Sequence, residues 1–482
     1  MITSIDWAIV FAYIALMFII GITMYKRSGA YDDYLIAGRK FNALYIALTL
    51  AAMISSATLG VSGLGYSFGL SGAWFFIMLG IGAWILFFTI AGRLRVLAQY
   101  AITDIYELRY DSRCRVLITL LGVFAYITLL SIGFVGGGHV LGVIFNIPLI
   151  IAMLIIAVPF ITYTALGGIW ASAVTNIVKF LILIIGLAIL IPTALSGAGG
   201  WEKVTTTLPQ DAFNLFSNSG LLSIWAFFWL MTLSFWVAAD IYQMLFAAKS
   251  VRTARVGLVF AGILIIIIGM AAAIIGMLAS VQFPPGTIPP EEAAPRVAST
   301  LDTGLSGLVS VALLSGSAIA VVIFQIVAAT LLIRGIWPKA KLSMNKIRAI
   351  SAMMGGAGFV IAAIFPDIIF LVELTFRIMI PATFVTVLAA FYWKRATAAG
   401  AFASSLIGAT VAIIWTFLVL PSLSPEYSFI LEPTFIGVVA SFIALIVVSY
   451  LSHQPSIEKL KFFMPANSSN NPAQKRVNES EP

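Results

Sequence analysis

Long, unbroken apolar runs fill most of this sequence and restrict it to one class of fold. Hydrophobic residues make up 61% of the 482 positions and charged residues only 10%, against about 25% charged in ordinary soluble proteins. A membrane-spanning helix needs about 20 mostly apolar residues, and thirteen runs reach roughly that length. They exclude a soluble globular fold. An outer-membrane barrel is excluded too, because its strands alternate apolar and polar residues.

We therefore predict an all-α polytopic membrane protein with about thirteen transmembrane helices, named α1 to α13 in chain order. The predicted helices span residues 5–24, 43–66, 71–92, 116–144, 148–166, 171–193, 221–246, 256–280, 304–333, 347–365, 368–393, 398–420 and 430–452. The polar segment that follows, 465–482, is predicted to be a disordered cytoplasmic tail.

Basic residues are distributed unevenly between the loops, and this bias predicts the orientation. With the N-terminus outside, 23 of the 27 Lys and Arg residues fall in cytoplasmic segments, and only Lys203 and Arg296 fall in outer loops. The positive-inside rule then places the C-terminus in the cytoplasm. The net charge of +8 is thus a signal of topology in a cell inner or plasma membrane, and we expect no nucleic acid partner.

Groups for enzyme chemistry are scarce. One cysteine, Cys114, and two histidines, His139 and His453, leave almost no material for a metal centre, a disulfide framework or a cysteine-histidine nucleophile pair. We expect no enzyme activity and no cofactor other than a transported ion.

The second helix, α2, is rich in hydroxyls and glycines, which weaken a helix. A broken helix survives in a bilayer where it lines a cavity, and in secondary transporters such breaks form the binding site. The alternative is a tightly packed interface of small residues. We favour the break, and the α2 side chains predicted to bind a solute are Ser55, Ser56, Thr58, Ser62 and Tyr66.

Five stretches of the chain together resemble the sodium:solute symporter family. They are Asp33-Tyr34-Leu35-Ile36-Ala37-Gly38-Arg39; Gly60-x-x-Gly63-x-Gly65-Tyr66-x-x-Gly69; Tyr163-Thr164-Ala165-Leu166-Gly167-Gly168-Ile169-Trp170 with Thr175-Asn176; Ala247-Ala248-Lys249-Ser250; and Phe391-Tyr392-Trp393-Lys394-Arg395-Ala396-Thr397-Ala398-Ala399-Gly400-Ala401. The resemblance implies a core of two inverted five-helix repeats, α2–α6 and α7–α11, with the first helix of a repeat broken at the midplane. It also implies alternating access and solute uptake coupled to sodium.

The predicted organisation follows from that resemblance. Residues 1–42 hold the first helix and a cytoplasmic loop, 43–193 the first repeat and 194–393 the second. Residues 394–464 hold two further helices, and 465–482 form the tail.

The sodium site that the resemblance implies is incomplete in this chain. In the family, sodium lies between backbone carbonyls of α2 and the hydroxyls of a Ser-Thr pair in α9. Aligned here, the carbonyls belong to Leu50 and Met53, but the hydroxyl positions are Ile319 and Ala320, which offer no side-chain oxygen. Because sodium needs oxygen ligands, as other hard cations do, the site should be abolished or weakened. An alignment shifted by one turn would instead bring in Ser315 or Ser317.

Lys179 in α6 is a candidate replacement for the missing sodium ion. It lies about 12 Å from the inner end of its helix at 1.5 Å per residue, close to the depth of the α2 hydroxyls. The usual family aspartate one turn earlier is Asn176 here. An ammonium at this depth could supply the positive charge that sodium supplies elsewhere, and could carry a proton. Alternatively, Lys179 extends to the inner headgroups.

A second intramembrane cation is Arg377 in α11, which shares a helix face with Glu373 at i and i+4. A guanidinium facing a cavity could bind a carboxylate; a structural ion pair is the alternative. Phe235, Trp236 and Gln325 are further candidate solute contacts, although such residues also serve as core or helix-packing groups. Asp240 and Tyr242, at the inner end of α7, are assigned to a cytoplasmic gate by position alone.

These features favour a secondary active transporter for a small organic solute, such as an amino acid or a carboxylate. It resembles sodium:solute symporters but has a degraded sodium site, so we expect proton-coupled or sodium-independent transport. A solute receptor with a transporter-like fold is the alternative, and a channel is disfavoured because no filter loop or charged ring is present. The expected partners are the solute and the bilayer, with the protein a monomer or weak dimer.

Overall fold

The computed structural model describes residues 3–24, 41–97, 101–217, 220–338, 342–456, 459–460 and 463, and there it is helical with no strand. The membrane helices are α1 Ser4–Met24, α2 Ala43–Phe68, α3 Trp74–Phe88, α4 Ser112–Phe145, α5 Leu149–Gly167, α6 Thr175–Gly197, α7 Gly220–Phe246, α8 Val251–Gln282, α9 Leu305–Ile336, α10 Met344–Ile364, α11 Ile368–Tyr392, α12 Ala398–Ser422 and α13 Pro433–Leu451. The all-α fold is thereby confirmed. The predicted motif at 33–39 and the tail 465–482 lie outside the described residues.

All thirteen predicted segments fall on helices, but fewer stand out as separate spans. In the part of the chain described, ten are long and apolar enough to cross a membrane, or eleven when the two bent halves of α7 count as one span. The number is lower than thirteen because α2 and α3 form one apolar stretch, Ala43–Phe88, and the apolar part of α1, Ser4–Ile20, is short. A single helix, Leu149–Gly197, contains both α5 and α6.

The break predicted in α2 is present. The helix runs from Ala43 to Ile54, tightens into a 3₁₀ turn at Ser55–Ala57, and resumes from Thr58 to Phe68. The hydroxyls of Ser55, Ser56 and Thr58 donate to carbonyls three residues back, at 2.6 to 2.7 Å. Hydroxyls that compete for backbone carbonyls in this way distort a helix.

The first helix of the second predicted repeat, α7, is also broken. A π turn at Phe228–Thr232 leads into Leu233–Val237, and Ala238 has an extended backbone (φ −72°, ψ 115°) before Ala239–Phe246. The two halves meet at a bend of 42°. The first helix of each predicted repeat is therefore interrupted, as expected for transporters built from inverted repeats.

Helix α9 lies at the centre of the molecule, where nearly all of it is buried. Close approaches of small residues allow this, because Gly133 on α4 meets the Ser317 carbonyl and Gly186 on α6 meets Ala312. The loop after α8 covers the outer half of α2, since the Tyr66 hydroxyl donates to the Pro284 carbonyl at 2.7 Å. The breaks of α2 and α7 thus lie beneath the loop after α8, on the side predicted to be outer, and beside α9.

Candidate functional site

A cavity lies where the breaks of α2 and α7 face each other, and α3, α4, α9 and α11 complete its walls. The cavity is small: the volume open to the centres of water molecules is about 40 Å³, which is room for a few waters. Its lining is apolar apart from three side chains, Ser56, Ser234 and Asp240. The arrangement matches the midplane sites of transporters with broken helices.

Asp240 is the one charged side chain in this lining, and it is 4% exposed. It is placed there by the turn at Ala238, which redirects the inner half of α7. The Tyr126 hydroxyl on α4 donates to its carboxylate, and the Asp240 backbone N–H donates back to the Tyr126 oxygen at 3.1 Å. Tyr126 thereby also satisfies a backbone group freed by the break.

Phenylalanine side chains form the largest apolar surfaces around the cavity. They are Phe75 and Phe76 on α3, Phe324 on α9 and Phe376 on α11, and all four are at most 9% exposed. The Phe324 ring also packs edge-on against Tyr126, at 5.9 Å between ring centres. The carboxylate of Asp240 therefore lies among aromatic rings and away from bulk water.

Of the side chains predicted to bind solute, Ser56 lines this cavity. Ser55 and Thr58 lie in the same break and bond to their own helix, while Ser62 is buried nearer the outer end. Tyr66 is anchored under the outer loop. All four lie outside the cavity lining.

The candidates on other helices also lie outside the lining. Phe235 and Trp236 are buried next to the α7 break, and the Trp236 carbonyl accepts a hydrogen bond from the Tyr242 hydroxyl at 2.6 Å. The Gln325 amide instead links three helices, donating to the Ile161 carbonyl at 3.3 Å and to the Ser351 hydroxyl at 3.1 Å.

Arg377 belongs to an ion-paired cluster near the start of α13. Its guanidinium lies 3.0 Å from Glu373 and 3.0 Å from Glu432. Glu432 in turn accepts the backbone N–H groups of Thr434 and Phe435 at the N-terminus of α13. The arginine thus connects α11 with α13.

The α9 positions aligned with the sodium hydroxyls, Ile319 and Ala320, are fully buried. Their helix face is identified by Gly316, where an added Cβ would lie 3.4 Å from the Ser55 carbonyl oxygen and 3.4 Å from Leu183 on α6. Positions three and four residues further along share that face. Leu50 and Met53, the carbonyl positions, lie in the buried inner half of α2.

The two nearby serines of α9 point to other helices. The Ser315 hydroxyl lies 3.0 Å from the Tyr13 hydroxyl on α1 and 2.8 Å from the Val311 carbonyl. Ser317 faces α4, where a Cβ added at Gly136 would lie 2.8 Å from its hydroxyl oxygen. Neither serine lies on the face of α9 defined by Gly316.

Lys179 is fully buried on α6, with Asn176 buried one turn earlier. Its ammonium lies 5.0 Å from the centre of the Tyr163 ring and 5.7 Å from that of Phe160. It has no hydrogen-bond partner in the described part of the chain. The expectation that it extends to the inner headgroups is therefore wrong, because no part of the side chain reaches the surface.

The packing of α6 against α9 relates Lys179 to the hydroxyl positions. Gly186 meets Ala312, and Leu183 meets Gly316. These contacts show that α6 and α9 run antiparallel, so the next contact is expected three or four residues earlier on α6 and three or four residues later on α9. From this register we infer that Lys179 lies close to the level of Ala320 on α9.

The sequence did not predict that Asp240 and its aromatic neighbours line the central cavity. Nothing in α7 signals the turn at Ala238, because the segment from Leu233 to Phe246 has no glycine or proline. A continuous α7 would have put Asp240 towards the inner surface. A lone acidic residue between apolar runs was the one available signal, since intramembrane charges are functional by default.

Comparison with known proteins agrees with this architecture. A model of the "Sodium:solute symporter family" matches residues 34–408. A sodium/proline symporter of Staphylococcus aureus is 27% identical over 483 residues, covering 92% of each chain. Among solved structures, a Na⁺-coupled sialic acid symporter superposes with a TM-score of 0.76 at 19% identity, covering 94% of this chain and 99% of that one.

The transporter Mhp1, of the nucleobase-cation-symport-1 family, also shares the fold, with a TM-score of 0.61 at 11% identity, covering 89% of this chain and 97% of that one. At these identities the two solved structures show a shared fold. Since the family model covers most of the chain, the protein is a multi-pass membrane transporter and belongs to the sodium:solute symporter family.

Proposed function

We propose that this protein carries a small organic solute across the membrane by alternating access, without sodium, and that the ammonium of Lys179 takes the place of the sodium ion. The solute binds in the cavity between the breaks of α2 and α7. The observation that carries the proposal is that Lys179 is fully buried on α6. The packing of Gly186 and Leu183 on α6 against Ala312 and Gly316 on α9 supports its placement near Ala320.

The loss of sodium ligands supports the first half of the proposal. Ile319 and Ala320 are hydrocarbon, and the hydroxyls of Ser315 and Ser317 are directed to α1 and α4. The alignment shifted by one turn is disfavoured by these contacts. Two backbone carbonyls of α2 are too few oxygens for a hard cation, which needs about six.

The environment of Lys179 supports the second half. A lysine at the bilayer centre costs about 2.5 to 3.5 kcal/mol on insertion scales, and among the described residues the ring faces of Tyr163 and Phe160 are the groups that offset that cost. An intramembrane charge held at such a cost is a candidate functional residue. A buried amine can exist charged or neutral according to its surroundings, so binding and release of its proton would replace binding and release of sodium as the coupling event.

The breaks in α2 and α7 divide each helix into two segments that can move separately. The inner and outer halves of α2 and α7 can reorient separately, because the helix hydrogen-bond ladder is already interrupted at Ser55–Ala57 and at Ala238. In the present conformation the outer loop is fastened to α2 through Tyr66 and Pro284. Opening of that contact would admit the solute from the predicted outer side.

Uptake by proteoliposomes tests the proposal, with Lys179→Gln as the variant. The wild type should accumulate solute when a proton gradient is imposed, and Lys179→Gln should lose that accumulation while still exchanging solute across the membrane. Lys203→Gln, at an exposed outer lysine, is the control and should behave like the wild type. Unchanged accumulation by Lys179→Gln would remove the lysine from the coupling mechanism.

A further inference from the structure

The polar groups of the central cavity are all hydrogen-bond acceptors. The Ser56 hydroxyl donates a hydrogen bond to the Met53 carbonyl at 2.7 Å, and the Ser234 hydroxyl donates one to the Met231 carbonyl at 2.6 Å. Their oxygen atoms retain lone pairs that can only accept. The third polar side chain is the Asp240 carboxylate, which accepts as well. A solute held here must therefore supply the donors.

The charge of the cavity is also of one sign. Among the residues that the structure describes, Asp240 forms no ion pair, and its side-chain partner is the neutral hydroxyl of Tyr126. A buried carboxylate is stabilised by a cation. Arg377 does not provide one, since it is engaged by Glu373 and Glu432.

The aromatic walls suit a cation too. Phe76, Phe324 and Phe376 line the same cavity as Asp240. The faces of phenyl rings attract ammonium groups, and most strongly where water is excluded. A carboxylate among such rings satisfies both the charge and the N–H groups of a protonated amine.

Resting on the proposed transport function, we propose that the solute carries a protonated primary or secondary amine and that Asp240 is the residue that binds it. The ammonium donates to the Asp240 carboxylate and to the oxygens of Ser56 and Ser234, and its apolar part lies against the phenylalanine rings. Tyr126 holds the carboxylate in place until the amine arrives. Amino acids and simple alkylamines are the chemical class.

Matched pairs of probes that differ in the amine test this assignment by thermal unfolding of the full-length protein in an amine-free phosphate buffer. The pairs are L-proline with cyclopentanecarboxylate, L-leucine with 4-methylpentanoate, and 3-methylbutylamine with 3-methyl-1-butanol. A ligand that binds the native state raises the unfolding midpoint. The amine member of at least one pair should raise it, and its amine-free partner should not.

Asp240→Asn removes the charge and keeps an oxygen that can accept from Tyr126. It should weaken amine binding by about 10-fold to 100-fold, the range for a hydrogen bond to a charged group. Glu373→Gln removes a carboxylate outside the cavity lining and should leave amine binding unchanged. Should Asp240→Asn fail to fold, Phe324→Leu keeps an apolar wall without the ring and should weaken amine binding while its amine-free partner remains inert.

The results separate this assignment from the proposed function. Equal stabilisation by an amine-free partner, or full amine binding by Asp240→Asn, overturns the assignment of the amine to Asp240 and leaves sodium-independent transport standing. A panel in which no amine stabilises the protein overturns it as well. Amine binding that Asp240→Asn abolishes, in a wild-type protein that binds the amine only with sodium, supports Asp240 and contradicts the role of Lys179.

Discussion

The ammonium of Lys179 lies 5.0 Å from the centre of the Tyr163 ring, inside the membrane. The Tyr163 hydroxyl is itself hydrogen-bonded to the Thr175 hydroxyl at 2.5 Å, one turn before Lys179 on α6. The lysine is thus held by π faces and has no hydrogen-bond partner within the described residues. We propose it as the substitute for a cation bound between α2 and α9, on the register inferred from the Gly186–Ala312 and Leu183–Gly316 contacts.

Replacing Lys179 by methionine should separate stability from transport. Lys179→Met keeps the length of the side chain and removes a buried charge, so the unfolding midpoint should stay the same or rise. Solute accumulation should be lost, because the charge that stands in for sodium is gone. Thermal unfolding and proteoliposome uptake measure the two effects, and a midpoint several degrees lower would identify Lys179 as a structural residue instead.

Restoring the missing hydroxyls should restore a sodium site. The variant Lys179→Gln with Ile319→Ser and Ala320→Thr removes the ammonium and adds two oxygens on the α9 face that meets the Ser55 carbonyl. Sodium chloride should then raise the unfolding midpoint above its value in potassium chloride at equal ionic strength.

The matched control for that experiment is Lys179→Gln with Val321→Thr, which adds a hydroxyl on the face of α9 that packs against Gly133 of α4. It should show no response to sodium. A sodium response in the control, or none in the restored variant, would contradict the register that places Lys179 beside Ala320.

Arg377 should prove structural. Arg377→Gln leaves Glu432 buried without its cation, and breaking a buried pair in this way costs about 3 to 5 kcal/mol. The unfolding midpoint should fall while the dissociation constant of the solute is unchanged. Glu373→Gln should be milder, because Arg377 keeps Glu432 as a partner. Loss of solute binding without loss of stability would instead support a role of Arg377 in carboxylate recognition.

The two breaks differ in how far the sequence could reveal them. In α2 the hydroxyls of Ser55, Ser56 and Thr58 are local causes of the distortion, so their density predicted it. In α7 the backbone N–H of Asp240, which the break frees, donates to the Tyr126 hydroxyl oxygen, 114 residues away along the chain. No local pattern encodes such a contact, and the position of Asp240 followed from it.

Long-range partners also decided the roles of other candidate residues. Glu373 was a visible i,i+4 partner of Arg377, whereas Glu432 lies 55 residues beyond it and was not. For Gln325 the sequence left a helix-packing role open beside solute binding, but it could not name the partners, Ile161 and Ser351. For Lys179, helix geometry predicted the depth of its backbone but left open whether the side chain extends to the headgroups, and the structure shows that it is fully buried.

Acid should weaken the outer loop through Glu292. The side chain of His139, 3.7 Å away, and the ion pair with Arg296 hold the pKa of Glu292 below its ordinary value. A lowered folded-state pKa stabilises the native state above the unfolded value of about 4.3, and that stability is lost as the pH falls through the folded pKa. Glu292→Gln should therefore lower the midpoint at pH 7 and differ little from wild type at the acid end.

Burial raises the pKa of the neighbouring Glu291, which is the opposite direction. Both proteins contain Glu291, so the difference between Glu292→Gln and wild type reports on Glu292. Unfolding midpoints between pH 3 and pH 7 measure the effect. A constant difference between the two proteins across that range would show that Glu292 contributes no pH-dependent stability.

Sodium dependence of uptake by the wild-type protein tests the central claim most directly. Proteoliposomes are loaded identically, a fixed proton gradient is imposed, and initial uptake of the most strongly stabilising amine is measured in sodium chloride and in potassium chloride of equal ionic strength. The account predicts the same rate in both salts and loss of accumulation when the proton gradient is collapsed. A rate that requires sodium would contradict it, and would mean that α9 completes an ordinary sodium site despite Ile319 and Ala320.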